Sequence, residues 1–94
     1  MKWLEIIELR SVNANKHILD RELKKLIEEL DKSNDECRMS AYSHKSVDTD
    51  FCIHLHHDSQ YVEANGSPLG LRLAAAFKDY GLINYNVWVE MFND

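Results

Sequence analysis

Asp50-Phe-Cys-Ile-His-Leu-His-His-Asp58 alternates apolar and polar residues as far as His56, and it holds three of the five histidines and one of the two cysteines. In an extended chain successive side chains point to opposite faces. Phe51, Ile53 and Leu55 therefore share one face of a strand, and Cys52, His54 and His56 share the other. His57 rejoins the apolar side. Burying the first face and leaving the second open is the cheaper choice, because imidazoles under an apolar layer would each need a hydrogen-bond partner.

On the N-terminal side, Cys37 to Ser46 reads as a strand turned back by Val47-Asp48-Thr49-Asp50. With Ser46 facing Phe51, Ser43 lies opposite His54 and Ala41 opposite His56. Met39, Ala41 and Ser43 then join the Cys52, His54 and His56 face, while Tyr42 and His44 join the apolar one. In this register Cys37 and Cys52 are about eight strand positions apart, roughly 26 Å, beyond disulfide reach. Met1 to Val12 reads as a long strand with Trp3, Glu5, Ile7 and Leu9 on one side and Leu4, Ile6, Glu8 and Arg10 on the other. Each side carries apolar residues, as expected of a central strand covered on both faces. Asn13-Ala-Asn15 offers helix caps, and Leu19, Leu23, Leu26, Ile27 and Leu30 form one stripe of an amphipathic helix that Ser33-Asn34-Asp35 ends.

Beyond the histidine strand, Gln60 to Gly66 reads as a loop, with Ser67 as N-cap and Pro68 at the first helical position. Leu69, Leu73, Ala76, Phe77 and Tyr80 repeat the stripe of the first helix, and Gly81 supplies its stop. Leu82 to Phe92 is the last strand, with Ile83, Tyr85, Val87, Val89 and Met91 on one side and Asn84, Asn86, Trp88, Glu90 and Phe92 on the other.

The order is strand, helix, strand, strand, helix, strand, a split βαβ pattern in one domain spanning 1–94. Right-handed crossovers place the first and third strands in the middle, expected parallel to each other, with both helices on one face. The other face keeps Trp88, Phe92 and apolar residues of the first strand, so a homodimer with facing sheets is expected.

Composition excludes several classes. A formal charge of -5, with Lys24 and Lys25 set among Asp20, Glu22, Glu28 and Glu29, argues against nucleic acid. Leu73 to Phe77, the longest apolar run, cannot span a membrane. Glu5 interrupts the apolar segment that a leader would need, so a cytoplasmic location with reduced thiols is expected.

Ser40-Ala-Tyr-Ser-His-Lys-Ser46, the turn at Asp48 and the segment Phe51 to Ser59 resemble the antibiotic biosynthesis monooxygenase-like proteins of the dimeric α+β barrel superfamily. Members often end their third strand with an aromatic-acid-Ser segment, to which His57-Asp58-Ser59 corresponds. The resemblance implies a ferredoxin-like α+β fold, with an antiparallel four-stranded sheet, two helices on one face and a dimeric barrel. It also implies oxidation of a small aromatic or lipophilic molecule without metal or flavin, in a pocket beside or within the barrel. It would set the pocket on the Phe51, Ile53, Leu55 and His57 face, whereas the hydrogen-bond argument keeps Cys52, His54 and His56 on the open one.

The candidate site is therefore His54 and His56 as proton-transfer residues, with Cys52, Asn86, Trp88, Glu90 and His57 contacting a ligand and no cofactor. Ala41 and Ser43 opposite the histidines would leave room for that ligand. Cys52, His54 and His56 also have the parity of a strand-borne metal site, but no bound metal is expected. Cys52 with His54 as a nucleophile pair lacks any sign of a depressed thiol pKa. Solvated or interfacial roles are the plain alternatives, and His17 and His44 read as surface residues. Three functions follow: a cofactor-independent, monooxygenase-like oxidoreductase acting on a small aromatic molecule, a non-catalytic small-molecule-binding or regulatory module, or a structural or metal-handling dimer.

Overall fold

A computed structural model describes residues 1–11, 16–33 and 37–92; of the helical residues Lys16 and Leu30 to Ser33 only the backbone is described. The elements are β1 (Lys2–Ser11), α1 (Lys16–Ser33), β2 (Cys37–Ser43), β3 (Asp50–Asp58), α2 (Pro68–Phe77) and β4 (Gly81–Val89). They form an α+β fold whose four strands run in the order β2-β3-β1-β4, and every neighbouring pair is antiparallel. This arrangement is compatible with a ferredoxin-like one.

The central pair corrects the expectation of parallel strands. A crossover through a helix returns the chain in its starting direction, which makes β1 parallel to β2 and β3 parallel to β4. The hairpin reverses β3 relative to β2, so β3 must run against β1, its neighbour.

Register sorts the side chains into rows. On the helix-covered face lie Cys37-His57-Trp3-Val89, Met39-Leu55-Glu5-Val87, Ala41-Ile53-Ile7-Tyr85 and Ser43-Phe51-Leu9-Ile83. The core gathers here, with Ile7, Leu9, Ile53, Leu55, Met39 and Phe51 from the sheet under Leu19, Leu23, Leu73, Ala74 and Phe77 of the helices. The open face carries Arg38-His56-Leu4-Trp88, Ser40-His54-Ile6-Asn86 and Tyr42-Cys52-Glu8-Asn84. The assignment of Phe51, Ile53 and Leu55 to the covered face and of Cys52, His54 and His56 to the open face agrees with the alternation.

The hairpin differs from the expected one. Ser43, not Ser46, pairs with Phe51, and β2 stops three residues early. An odd slip moves every side chain to the opposite face. Met39, Ala41 and Ser43 consequently face the helices, while Arg38, Ser40 and Tyr42 stand beside the histidines. The physical reason lies in His44, whose Nδ1 accepts from the backbone N–H groups of Ser46 (3.0 Å) and Val47 (3.1 Å). It folds Lys45, Ser46 and Val47 into the turn instead of the ladder. Cys37 and Cys52 fall on opposite faces and form no disulfide.

Ser67 is the N-cap of α2: its hydroxyl accepts from Gly70 N–H at 3.0 Å, with Pro68 at the first turn. The helix ends at Phe77 rather than running to Tyr80, and Lys78 is its C-cap. Gly81 opens β4 instead of stopping α2, where a Cβ would lie 2.0 Å from the Arg10 carbonyl oxygen. β4 ends at Val89, leaving Met91 and Phe92 exposed beyond the sheet. The expected caps at 13–15 and the stop at 34–35 lie outside the described residues.

Candidate functional site

At the end of the sheet where β1 begins and β3 and β4 finish, a groove of about 620 Å³ opens, within the range of small-molecule sites. It is bordered by Arg38, His56, Trp88, Glu90 and Leu4, and also by Trp3 and His57, whose side chains lie on the helix-covered face. Trp88 projects from the open face with 58% of its surface exposed, paired with Leu4 of β1, which separates it from His56 of β3. The groove thus combines an indole, a guanidinium and one imidazole on three strands.

His56 is half-buried, and its Nε2 is closed off from solvent without a hydrogen-bond partner. Burial, then the positive potential of Arg38 and the neighbouring histidines, pushes its pKa down, so His56 is neutral at pH 7. His54 lies one row away. Its Nε2 is 3.1 Å from the Cys52 sulfur, and its ring meets that of Tyr42 at 4.8 Å between centroids. Burial and the nearby Glu8 carboxylate raise the Cys52 pKa, which keeps the thiol protonated and opposes a thiolate nucleophile. Among the described residues no three His, Cys, Asp or Glu side chains converge as metal ligands. The strand itself spreads Cys52, His54 and His56 along one face, and His54 turns toward Cys52 and Tyr42.

Of the residues singled out from sequence, His56, Trp88 and Glu90 meet at the groove, His57 borders it with its side chain turned to the covered face, and Cys52, His54 and Asn86 lie outside it on the same sheet. A second groove of about 490 Å³, toward the opposite end, takes Cys52 together with Tyr42, Glu8 and Asn84. The small Ala41 and Ser43 belong to neither histidine row, since both face the helices.

Beneath the groove lies a cluster that the sequence reading passed over. Glu5 is 0% exposed in the middle of the covered face, between Leu55 and Val87. Its carboxylate reaches diagonally to His57 on β3 and to Tyr85 on β4. Oε1 accepts from Ser67 N–H at 2.9 Å and from the Tyr85 hydroxyl. Oε2 accepts from the Ser67 hydroxyl at 2.6 Å and contacts His57 Nε2 at 2.5 Å. Burial alone would raise the Glu5 pKa, but the bonds from Ser67, Tyr85 and His57 together hold it below the usual carboxylate value. The start of α2 adds its positive end. Burial, with the hydrogen bond to Glu5 and its charge, raises the Tyr85 pKa well above the usual phenol value.

Two glycines make room for this cluster. A Cβ on Gly70 would lie 2.0 Å from Glu5 Oε1, and one on Gly66, whose φ is 100°, would lie 1.8 Å from the Tyr85 oxygen. His57 stacks on Trp3 with 4.0 Å between centroids and 15° between planes. Trp3 Nε1 donates to Ser59 Oγ at 2.8 Å, and Ser59 Oγ donates to the Tyr61 carbonyl at 2.8 Å.

No protein-family model, curated protein or solved structure matches the chain. No described helix is long and apolar enough to cross a membrane.

Proposed function

We propose that the protein is a homodimer of the dimeric α+β barrel type that binds a small, partly aromatic molecule in the Trp88 groove. The observation that carries this reading is the meeting of an exposed Trp88, Arg38 and the His56 imidazole around one groove on the sheet face opposite the two helices. Leu4 and Ile6 beneath it, with the exposed Tyr42, Leu82 and Trp88 around them, give that face an apolar patch among its polar residues. A second copy laid on it would close the groove into a cavity and take the exposed apolar side chains out of water. The indole supplies a stacking surface, and Arg38 a cation for a ligand oxygen.

The activity this favours is cofactor-independent oxidation of a quinol or phenol, in which an imidazole removes the hydroxyl proton and the resulting anion reacts with dioxygen. Light scattering at micromolar concentration should give twice the 11.0 kDa chain mass. A panel of quinols and phenols should bind, and oxygen uptake should accompany binding of at least one. Binding without uptake would assign the protein to the sensing modules. A stable monomer that binds none of the panel would refute the reading.

A further inference from the structure

β4 is an outermost strand of the sheet, with β1 as its one neighbour among the described strands. Just past its end, Glu90 N–H donates to the Lys2 carbonyl at 3.0 Å, which makes Lys2 and Glu90 a hydrogen-bonded pair. The register runs unbroken from Trp3 opposite Val89 to Ser11 opposite Gly81. Alternation then aims the N–H and C=O groups of Leu82, Asn84, Asn86 and Trp88 at β1, and those of Ile83, Tyr85, Val87 and Val89 outward. Soluble proteins guard such an edge with charges, proline or a bulge. The nine residues of β4 include no charged side chain and no proline, and its register shows no bulge. β2, the opposite edge, is shorter and carries Arg38.

The strand is also complementary to itself. With two copies antiparallel and Tyr85 on the two-fold axis, Ile83 lies opposite Val87 of the second copy, and Val89 opposite its Gly81. On the open face Asn84 lies opposite Asn86, and Leu82 opposite Trp88. Apolar side chains thus meet apolar ones or glycine, and each amide meets an amide able to hydrogen-bond with it. Sliding the copies by two residues either way would set an asparagine against Leu82 or Trp88. Leu82 and Trp88 are 69% and 58% exposed in the single chain, so this pairing covers two of its large exposed side chains. The Tyr85 rings leave the axis clear, because each hydroxyl bonds inward to Glu5 on β1.

We propose that β4 pairs with β4 of a second copy, extending the sheet across a two-fold axis at Tyr85. This interface goes beyond the Trp88 reading and bears on it: Leu82 of the second copy lies against Trp88 and adds an apolar wall to the groove that Trp88 borders. Copies packed sheet on sheet keep this edge free, so such dimers can join through it. A strand edge buries little surface, so the joining depends on concentration.

Amide hydrogen exchange followed by NMR, with light scattering in parallel, tests the pairing on the intact protein from micromolar to millimolar concentration. The amides of Leu82, Asn84, Asn86 and Trp88 should be protected throughout by β1. Those of Ile83, Tyr85, Val87 and Val89 should gain protection as concentration and mass rise together. Two doubly substituted proteins check the register at exposed positions. Asn84→Asp with Asn86→Asp sets like charges opposite each other and should lose the added protection at low salt. Asn84→Lys with Asn86→Asp sets unlike charges opposite each other and should keep or increase it. Outward amides that exchange freely at every concentration would overturn the pairing, and equal behaviour of the two variants would overturn the register. Protection rising in step at Met39 and Ala41, whose amides point outward from β2, would mean that β4 docks on β2 and would overturn the two-fold contact. None of these readouts uses a ligand, so a groove that binds nothing leaves the edge result standing, and an unpaired edge leaves the groove standing.

Discussion

Replacing Gly70 by alanine probes the Glu5 cluster without touching any of its hydrogen-bonding members. In an ordinary helix interior the change would gain about 1 kcal/mol. Here the new Cβ would lie 2.0 Å from Oε1 and 2.7 Å from Cδ of a fully buried carboxylate. Glu5 cannot yield easily, since its two oxygens serve Ser67, Tyr85 and His57 at once. Overpacking costs about 1–3 kcal/mol, and losing one hydrogen bond to the ionised group costs about 1.5–3 kcal/mol. Set against the helix gain, the net loss is about 1.5–5 kcal/mol. Urea unfolding should show a midpoint lowered by about 1 M or more with an unchanged m-value. In a Glu5→Ala background the obstruction is gone, and the same substitution should be neutral or stabilising. A Gly70→Ala protein more stable than wild type, or one whose penalty is the same without Glu5, would refute the packing argument.

Other outcomes follow from the titrating groups. Because the folded Glu5 carboxyl titrates below its unfolded value of about 4.3, its stabilisation is complete above that pH and lost as pH falls through the folded value. The difference in urea midpoint between wild type and Glu5→Gln should therefore shrink from pH 6 to pH 3, and a constant difference would contradict an ionised Glu5. Cys52 should react with iodoacetamide at pH 8 more slowly than a small unhindered thiol, because burial and Glu8 raise its pKa. Peptide mass analysis should show faster Cys52 labelling in Glu8→Gln; equal rates would mean that the carboxylate does not act on the sulfur.

Much of the fold was legible because burial follows the two-residue period of the strands. Phe51, Ile53 and Leu55 could be assigned to the covered face from alternation alone, and Ser67-Pro68 marked the start of α2. The register of β2 against β3 was not legible. It depends on His44 drawing three residues into the turn, and a side chain capping backbone N–H groups leaves no periodic trace. The central strand direction was misjudged for a topological reason, since the hairpin reverses what the crossovers preserve.

The site was half legible. His56, Trp88 and Glu90 could be singled out by residue type, and they meet at the groove, whereas His57 turns to the covered face and Glu5. The Glu5 cluster escaped, although one signal was present: an acid at the centre of a face otherwise made of Trp3, Ile7 and Leu9. An acid placed there must find donors, yet its partners Ser67 and Tyr85 lie 62 and 80 positions away in sequence. Gly66 and Gly70 could be read as turn and helix residues, but not as the space left for a tyrosine and a carboxylate.

Fluorescence titration with para-nitrophenol and hydroquinone tests the central claim most directly, because one of the two tryptophans stands in the groove and the other is stacked beneath it. Saturable quenching is expected in the wild type, with most of the change lost in Trp88→Phe while the circular dichroism of the fold is retained. A titration that stays flat in the wild type, or a saturable response that survives unchanged in Trp88→Phe, would contradict the groove as the ligand site.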